Sequence, residues 1–453
     1  MTSAGKAAME RTILFSIAAV YFIQQLMQLD MLAPLLGSLV FIAIAILLPK
    51  LKGMTLWLTV SFMVVGALLM LLQKADVRVW FEAAEINVTI VTLFLFAPLF
   101  GIPVRIPEYL EALKRFHGAN LTSKTGLFVG TQILTQIMGV FINVGSIPVV
   151  YQIVFAKPQP GMSRLLANAL NRGFAGAILW SPYFAAMALV TSALALPWSA
   201  ILPYAVALSL LSLVVSWAVD LRELRRAVTE AELPLQKPMG KQSKAVFPLG
   251  LGTYLTAAIV VILLLERTIE LPMVMLICLA AVVLPVIWCI AKGAAAEYRQ
   301  GLKNHVTVTL PALQKEITLF LAAGFFSGSI GAAGFGPAVP ALLEHVPLPI
   351  SLSFSVFTVV LIAGTSIIGL HPIVPVTILA GGIDPSTMEM SPICFAVLLL
   401  GSWGLSNTVS PASAANNLLA GLFKKPVFAL AVPNYKFACC MAIVLLIYLK
   451  VVF

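Results

Sequence analysis

The chain has 453 residues, of which 60% are hydrophobic and only 10% charged, and its mean hydropathy is +1.02. That composition excludes a soluble domain and points to a polytopic membrane protein. The net charge of +10 reads as basic loops on one membrane face, with no nucleic-acid partner. No P-loop, dinucleotide fingerprint, nucleophile elbow or metal-ligand spacing is present, so neither an enzyme nor an ATP-driven pump is expected.

Apolar spans are predicted near 12–29, 33–49, 55–73 and 87–104. The first lacks a small-residue cleavage site and reads as a retained helix. The apolar block 126–155 is long for one crossing helix of about 20 residues, and it has polar atoms in its middle. A re-entrant hairpin fits it, with Asn143, Gly145 and Ser146 at the tip. Gln132 and Gln136 share one face of its first arm, lining a pathway or cementing helix packing.

The segment 165–195 is interrupted at Ser181-Pro182, and a span follows at 198–219. A charged loop over 220–245 carries Arg222, Arg225, Arg226, Lys237, Lys241 and Lys244. Spans near 246–266, 271–291 and 316–336 precede a second hairpin over 351–381, with His371 at its tip. The segment 391–423 is interrupted at Ser410-Pro411, and a span over 434–453 closes the chain. The five cysteines fall in apolar spans, so no disulfide framework is expected. The fold class is an all-α polytopic membrane protein, with about 11 transmembrane helices and two re-entrant hairpins.

The second half repeats words of the first. SPYFAAMAL from Ser181 is answered by SPASAANNL from Ser410, about 229 positions on. Thr92-Leu93-Phe94-Leu95 is answered by Thr318-Leu319-Phe320-Leu321, and Ile147-Pro148-Val149-Val150 by Val374-Pro375-Val376-Thr377. The register predicts an N-terminal helix (1–32), a first repeat (33–219), a cytoplasmic loop (220–245) and a second, inverted repeat (246–453). With the N-terminus inside, only Lys74, Arg78, Arg267 and Lys450 fall on the outer face. Arg105, Lys124, Lys157 and Arg172 count as cytoplasmic, the side expected to be basic. Pro107–Phe116 and Pro337–Val346 read as interfacial connectors or plain loops before the two hairpins.

A proline within the membrane breaks a helix and frees backbone polar groups that lipid cannot satisfy. Two such breaks at matching positions predict one shared mid-membrane pocket. The expected substrate-binding residues are Asn143, Gly145, Ser146, Ser181, Pro182, His371, Asn407, Thr408, Ser410 and Pro411. Hydroxyls, amides and unwound carbonyls at Asn143, Ser146, Ser406, Asn407, Thr408 and Ser410 are hard oxygen ligands suited to sodium. His371 reads as the single histidine in a span, either a proton carrier or a cap on the hairpin tip. No arginine, lysine, aspartate or glutamate is expected in the middle of a span, which leaves anions to backbone N–H groups, hydroxyls and helix N-termini.

This plan resembles the ion transporter superfamily, most of all its divalent-anion/sodium symporters. Large TRAP permease subunits and arsenite and sodium/proton antiporters are relatives. In that family Ser-Asn-Thr words mark hairpin tips. Here Asn143-Val144-Gly145 stands at the first tip, and Ser406-Asn407-Thr408 stands beside the second break. The resemblance implies an elevator-type secondary transporter that works as a homodimer, with sodium as coupling ion and no other cofactor. The expected function is transport of a small organic anion, such as a carboxylate, on a sodium or proton gradient. The expected site is a bacterial inner membrane, N-terminus cytoplasmic, with lipid as the other partner. The alternatives are a cation/proton antiporter, for which no buried carboxylate was found, and a non-transport membrane scaffold.

Overall fold

A computed structural model describes residues 3–121, 123–156, 159, 161–227, 246–334, 338–343 and 345–453. The expected positions of Lys157, Lys237, Lys241, Lys244 and Pro337 lie outside the described residues. The chain is all-helical there, and 13 helices are long and apolar enough to cross a membrane. The multi-pass architecture is therefore the one expected.

The first hairpin consists of Lys124–Ile142 and Ser146–Val154, joined by a tight turn over Asn143–Gly145. The first broken helix consists of Ser163–Trp180 and Ala185–Ala193. Gly173 packs on Gln132, Gly176 on Gln136, and Ser181 on Val140, so partners rise together along both helices. The first arm of the hairpin and the first half of the broken helix thus run parallel. The short link between Val154 and Ser163 then requires the second arm to turn back, which makes the hairpin re-entrant.

The second hairpin arms are Ile350–Ile367 and Ile373–Gly382, and the second broken helix is Pro392–Val409 with Ala414–Phe423. Phe354 meets Phe395 at 5.6 Å, each in the first turns of its helix, and the two helices pack side by side. The two broken helices are the innermost elements, with 94% of their apolar windows buried.

These two helices cross antiparallel. Asn171 reaches Thr408, while Ala175 meets Gly404 further along one helix and further back on the other. Glycine is needed at 404 because a Cβ there would sit 3.3 Å from the Ala175 carbonyl. Phe94 and Phe320, the matching residues of the two Thr-Leu-Phe-Leu words, also touch, with ring centroids 5.6 Å apart.

Side-chain contacts sort the helix ends into two faces. Glu10, Lys50 and Gln314 join at one. At the other, Gln24 bonds Glu85 at 3.3 Å and Glu266 accepts the Trp198 amide at 2.6 Å. Helix Trp198–Arg226 runs past the expected span end at 219, so Asp220, Arg222, Arg225 and Arg226 belong to a helix, not a loop.

The first connector is helix Pro107–Asn120, which buries Tyr109, Leu113 and His117 at helical spacing. The second includes the short helix Ala338–Leu343. Burial pushes His117 from the usual 6.5 down to about 4, because charging the ring there forfeits hydration. Its folded-state value is depressed, so its contribution is complete above pH 6.5 and is lost as pH falls toward 4. Thermal unfolding in detergent is expected to shift downward across that window, by at most ~3 kcal/mol from this group. His117→Leu should flatten that part of the profile. An unchanged slope would show that His117 is not the titrating group.

Candidate functional site

Both breaks are built alike. Ser181 (φ −70°, ψ 126°) and Ser410 (φ −74°, ψ 124°) take the extended conformation that a following proline enforces. In each, the hydroxyl accepts the amide two residues on, from Tyr183 and from Ala412, at 3.2 Å. The repeated Ser-Pro word therefore has a repeated physical job: the serine re-pairs a backbone amide freed by the interruption.

The breaks do not share a pocket, contrary to expectation. Each lies about 9 Å from the Ala175–Gly404 crossing, on opposite sides of it because the helices are antiparallel. Ser181 instead joins the first hairpin, its hydroxyl donating to the Val140 carbonyl at 2.9 Å. Pro182 beside it is buried, and the Trp180 carbonyl accepts the Trp198 indole at 3.0 Å.

At the second break, Asn416 reaches the carbonyls of Ser410, Thr408 and Asn407 at 2.8, 3.2 and 3.3 Å. Asn171 bonds Asn416 Oδ1 at 2.7 Å and lies 3.3 Å from the Thr408 carbonyl. Ser406, Asn407 and Thr408 are helical rather than unwound, and their side chains donate back to Trp403, Trp403 and Leu405. Pro411 is half-buried, and its carbonyl accepts Asn417 at 3.2 Å. At this break the Asn407, Thr408 and Ser410 carbonyls expected to face sodium are already engaged by the Asn416 amide. Asn171 and Asn416, which the sequence reading did not select, do most of that work.

His371 caps the second arm of its hairpin. Its Nδ1 accepts the Ile373 amide at 3.2 Å, and its ring lies against Phe320 and Trp403, with centroids 5.2 and 6.0 Å away. Accepting at Nδ1 requires a lone pair there, so the capping state is neutral. It is also not the single histidine in a span: His305 sits buried in the segment Ala295–Ala332, on a π-turn, 2.8 Å from the Leu95 carbonyl.

The first hairpin tip is the most reactive-looking feature. Asn143 is held at φ 53°, ψ −137°, off the usual helical regions, with its Oδ1 taking the Val144 amide at 2.7 Å. Ser146 is completely buried and its hydroxyl has no partner among the described residues. Ser146 also opens the helix Ser146–Val154, whose first amides point toward the tip. The Arg105 guanidinium lies directly over Gly145, where a Cβ would sit 2.7 Å from Nη2 and push the flexible end of the arginine aside.

Arg105 is exposed and makes no hydrogen bond or ion pair among the described residues. Arg105 stands just past the end of the span Val77–Val104, so it is not a mid-span charge, but its guanidinium reaches Gly145 at the first hairpin tip. Arg105 follows directly on the short helix Gly101–Val104, and its side chain extends from there to Gly145, a contact that a count of loop charges does not reveal.

Arg172 was likewise misplaced. It is 0% exposed and about 14 Å along helix Ser163–Trp180. Its Nη1 bonds Asp220 at 2.8 Å and the Ser216 hydroxyl at 3.1 Å, Nε bonds Asn434 at 2.8 Å, and Phe437 lies under the guanidinium at 4.6 Å. This pair ties the first broken helix to Trp198–Arg226 and to the C-terminal helix Tyr435–Val452. Gln136 bonds Ser209 and so joins two helices, whereas Gln132 meets Gly173 through its backbone carbonyl and its buried side-chain amide has no partner among the described residues.

No family model and no curated protein matches the sequence. A solved structure does. The crystal structure of the YdaH transporter of Alcanivorax borkumensis, described as having an unusual topology, superposes with a TM-score of 0.57 at 15% identity. The match covers 88% of this chain and 97% of that one. At that identity the likeness is one of fold.

Breaking the buried ion pair strands a charge in a low-dielectric site. Arg172→Met or Asp220→Leu alone is expected to destabilise by ~3–5 kcal/mol, seen as a lower unfolding midpoint in detergent, and the double variant Arg172→Met/Asp220→Leu to recover most of that loss. Additive single effects would contradict the pairing.

Proposed function

We propose that this chain is a secondary active transporter for a small organic anion, such as a carboxylate. The anion's charge is met at the first hairpin tip by Arg105, the amides opening helix Ser146–Val154, and the unpartnered Ser146 hydroxyl. The observation that carries this reading is the free guanidinium seated over Gly145. An exposed guanidinium beside the hairpin turn, with no protein partner among the described residues, is available for a charge-assisted bidentate bond to a carboxylate.

Two inverted repeats, 33–219 and 246–453, account for the contacts between matching residues. Ala175 meets Gly404 and Phe94 meets Phe320, as positions on a pseudo-two-fold axis would. In the elevator form of the proposal, the hairpins and broken helices move as one body against the remaining helices, within a homodimer in a bacterial inner membrane. The ion transporter superfamily uses this plan, and the YdaH transporter shares the fold. A sodium or proton gradient would drive the cycle. Sodium would draw on the oxygens around Asn143 and Ser146, and around Ser406, Asn407, Thr408 and Ser410, in a state where the asparagine clamps have moved.

The test is uptake of radiolabelled carboxylates into proteoliposomes, with sodium and proton gradients imposed separately. Uptake of an anion that follows one gradient is expected. Arg105→Gln should lower it at least 100-fold, and Gly145→Ala, which displaces the guanidinium, at least tenfold, with membrane insertion intact. Full uptake in Arg105→Gln would overturn the anion site. Sodium-driven proton movement without any anion would overturn the symport reading.

A further inference from the structure

A cavity of about 590 Å³ opens at the face opposite the Glu10–Lys50–Gln314 contact. It lies among the N-terminal helix, the turn around Glu85, the end of the first broken helix and the link from Glu266 to Val274. It is separate from the first hairpin tip: none of the tip residues or Arg105 lines it.

Its charge is of one sign. Glu85, Glu266 and Glu270 line it, and no lysine or arginine does. Glu266 is committed to structure, accepting the Trp198 and Ser199 amides at 2.6 and 2.9 Å. Glu85 takes a single hydrogen bond, from Gln24, and exposed Glu270 takes none among the described residues. Tyr21 supplies an independent sign of a ligand. It is 5% exposed, lines the cavity, and its hydroxyl has no partner among the described residues. Its ring is buried while the hydroxyl itself remains accessible, an oxygen that a ligand in the cavity can use.

The size and the donor set choose the ligand class. Among the described residues, no three acidic, histidine or cysteine side chains converge as a metal ion would need. The volume is that of a small-molecule pocket, and Leu36, Ile86 and Met273 add apolar wall. We propose that this cavity binds an organic cation: a primary ammonium on an apolar body. The ammonium donates to Glu85, to Glu270 and to the Tyr21 oxygen, and the body lies on the apolar wall.

Calorimetric titration of the purified full chain with 2-phenylethylammonium tests this, with 3-phenylpropan-1-ol and 3-phenylpropionate as neutral and anionic counterparts. Saturable binding of the ammonium alone is expected. Glu85→Gln and Glu270→Gln should each weaken it at least tenfold, and Tyr21→Phe by a smaller factor. Because Glu270 is exposed, its variant leaves the fold intact and keeps the test valid if Glu85→Gln does not fold. No saturable binding of the ammonium, equal binding of the alcohol, or an affinity untouched by Glu270→Gln would overturn the proposal.

Discussion

Every interruption of a helix at lipid depth frees backbone groups that must be paired inside the protein, and this constraint organises the structure. Both breaks meet it first locally, through a serine that receives the amide beyond its own proline. They then meet it at longer range, and differently. The first break leans on the hairpin beside it and on the Trp198 indole. The second leans on Asn416 and on Asn171 from the antiparallel partner. The Asn171–Asn416 contact therefore closes the second interruption and joins the two broken helices. Glycine at 404 permits the close crossing that brings them together.

Two arginines, Arg172 and Arg105, are held in contrasting ways. Arg172 is neutralised by Asp220, enclosed by Ser216, Asn434 and Phe437, and holds three helices in fixed relation. A pair so enclosed adds little net stability but makes its own loss costly. Arg105 has no such company. It lies against Gly145 at the first hairpin tip, whose lack of a side chain leaves the guanidinium its place. Arg172 is thus committed to architecture, whereas the Arg105 guanidinium has no hydrogen-bond or ion-pair partner among the described residues.

Apolar length and proline position made the spans, both hairpins and both breaks legible from the sequence, because helix periodicity and lipid depth leave few alternatives. The Ser-Pro repeat was legible too, although its hydroxyls turned out to cap local amides. Arg105 and Arg172 were not legible as site or core residues. Counting charges to orient the chain assigns every basic residue to a loop, and only tertiary contact shows that one is enclosed and the other folded onto the tip. Ser406-Asn407-Thr408 misled in the opposite direction. Small polar side chains can bond back to their own helix, so polar density did not mean unwound backbone. The Asn171–Asn416 pair and the acidic cavity join residues far apart in sequence, and no local pattern signals them.

Thiol labelling from one side of the membrane tests the central claim most directly: that the two hairpin-and-broken-helix units enter from opposite faces. Ser123 precedes the first hairpin and Ser386 follows the second, and both are exposed. In a background without the native cysteines, Ser123→Cys and Ser386→Cys would each be treated with a membrane-impermeant maleimide in sealed, uniformly oriented vesicles. The expected result is labelling of one position from outside and of the other only after the membrane is opened. Labelling of both from the same side would contradict the inverted arrangement.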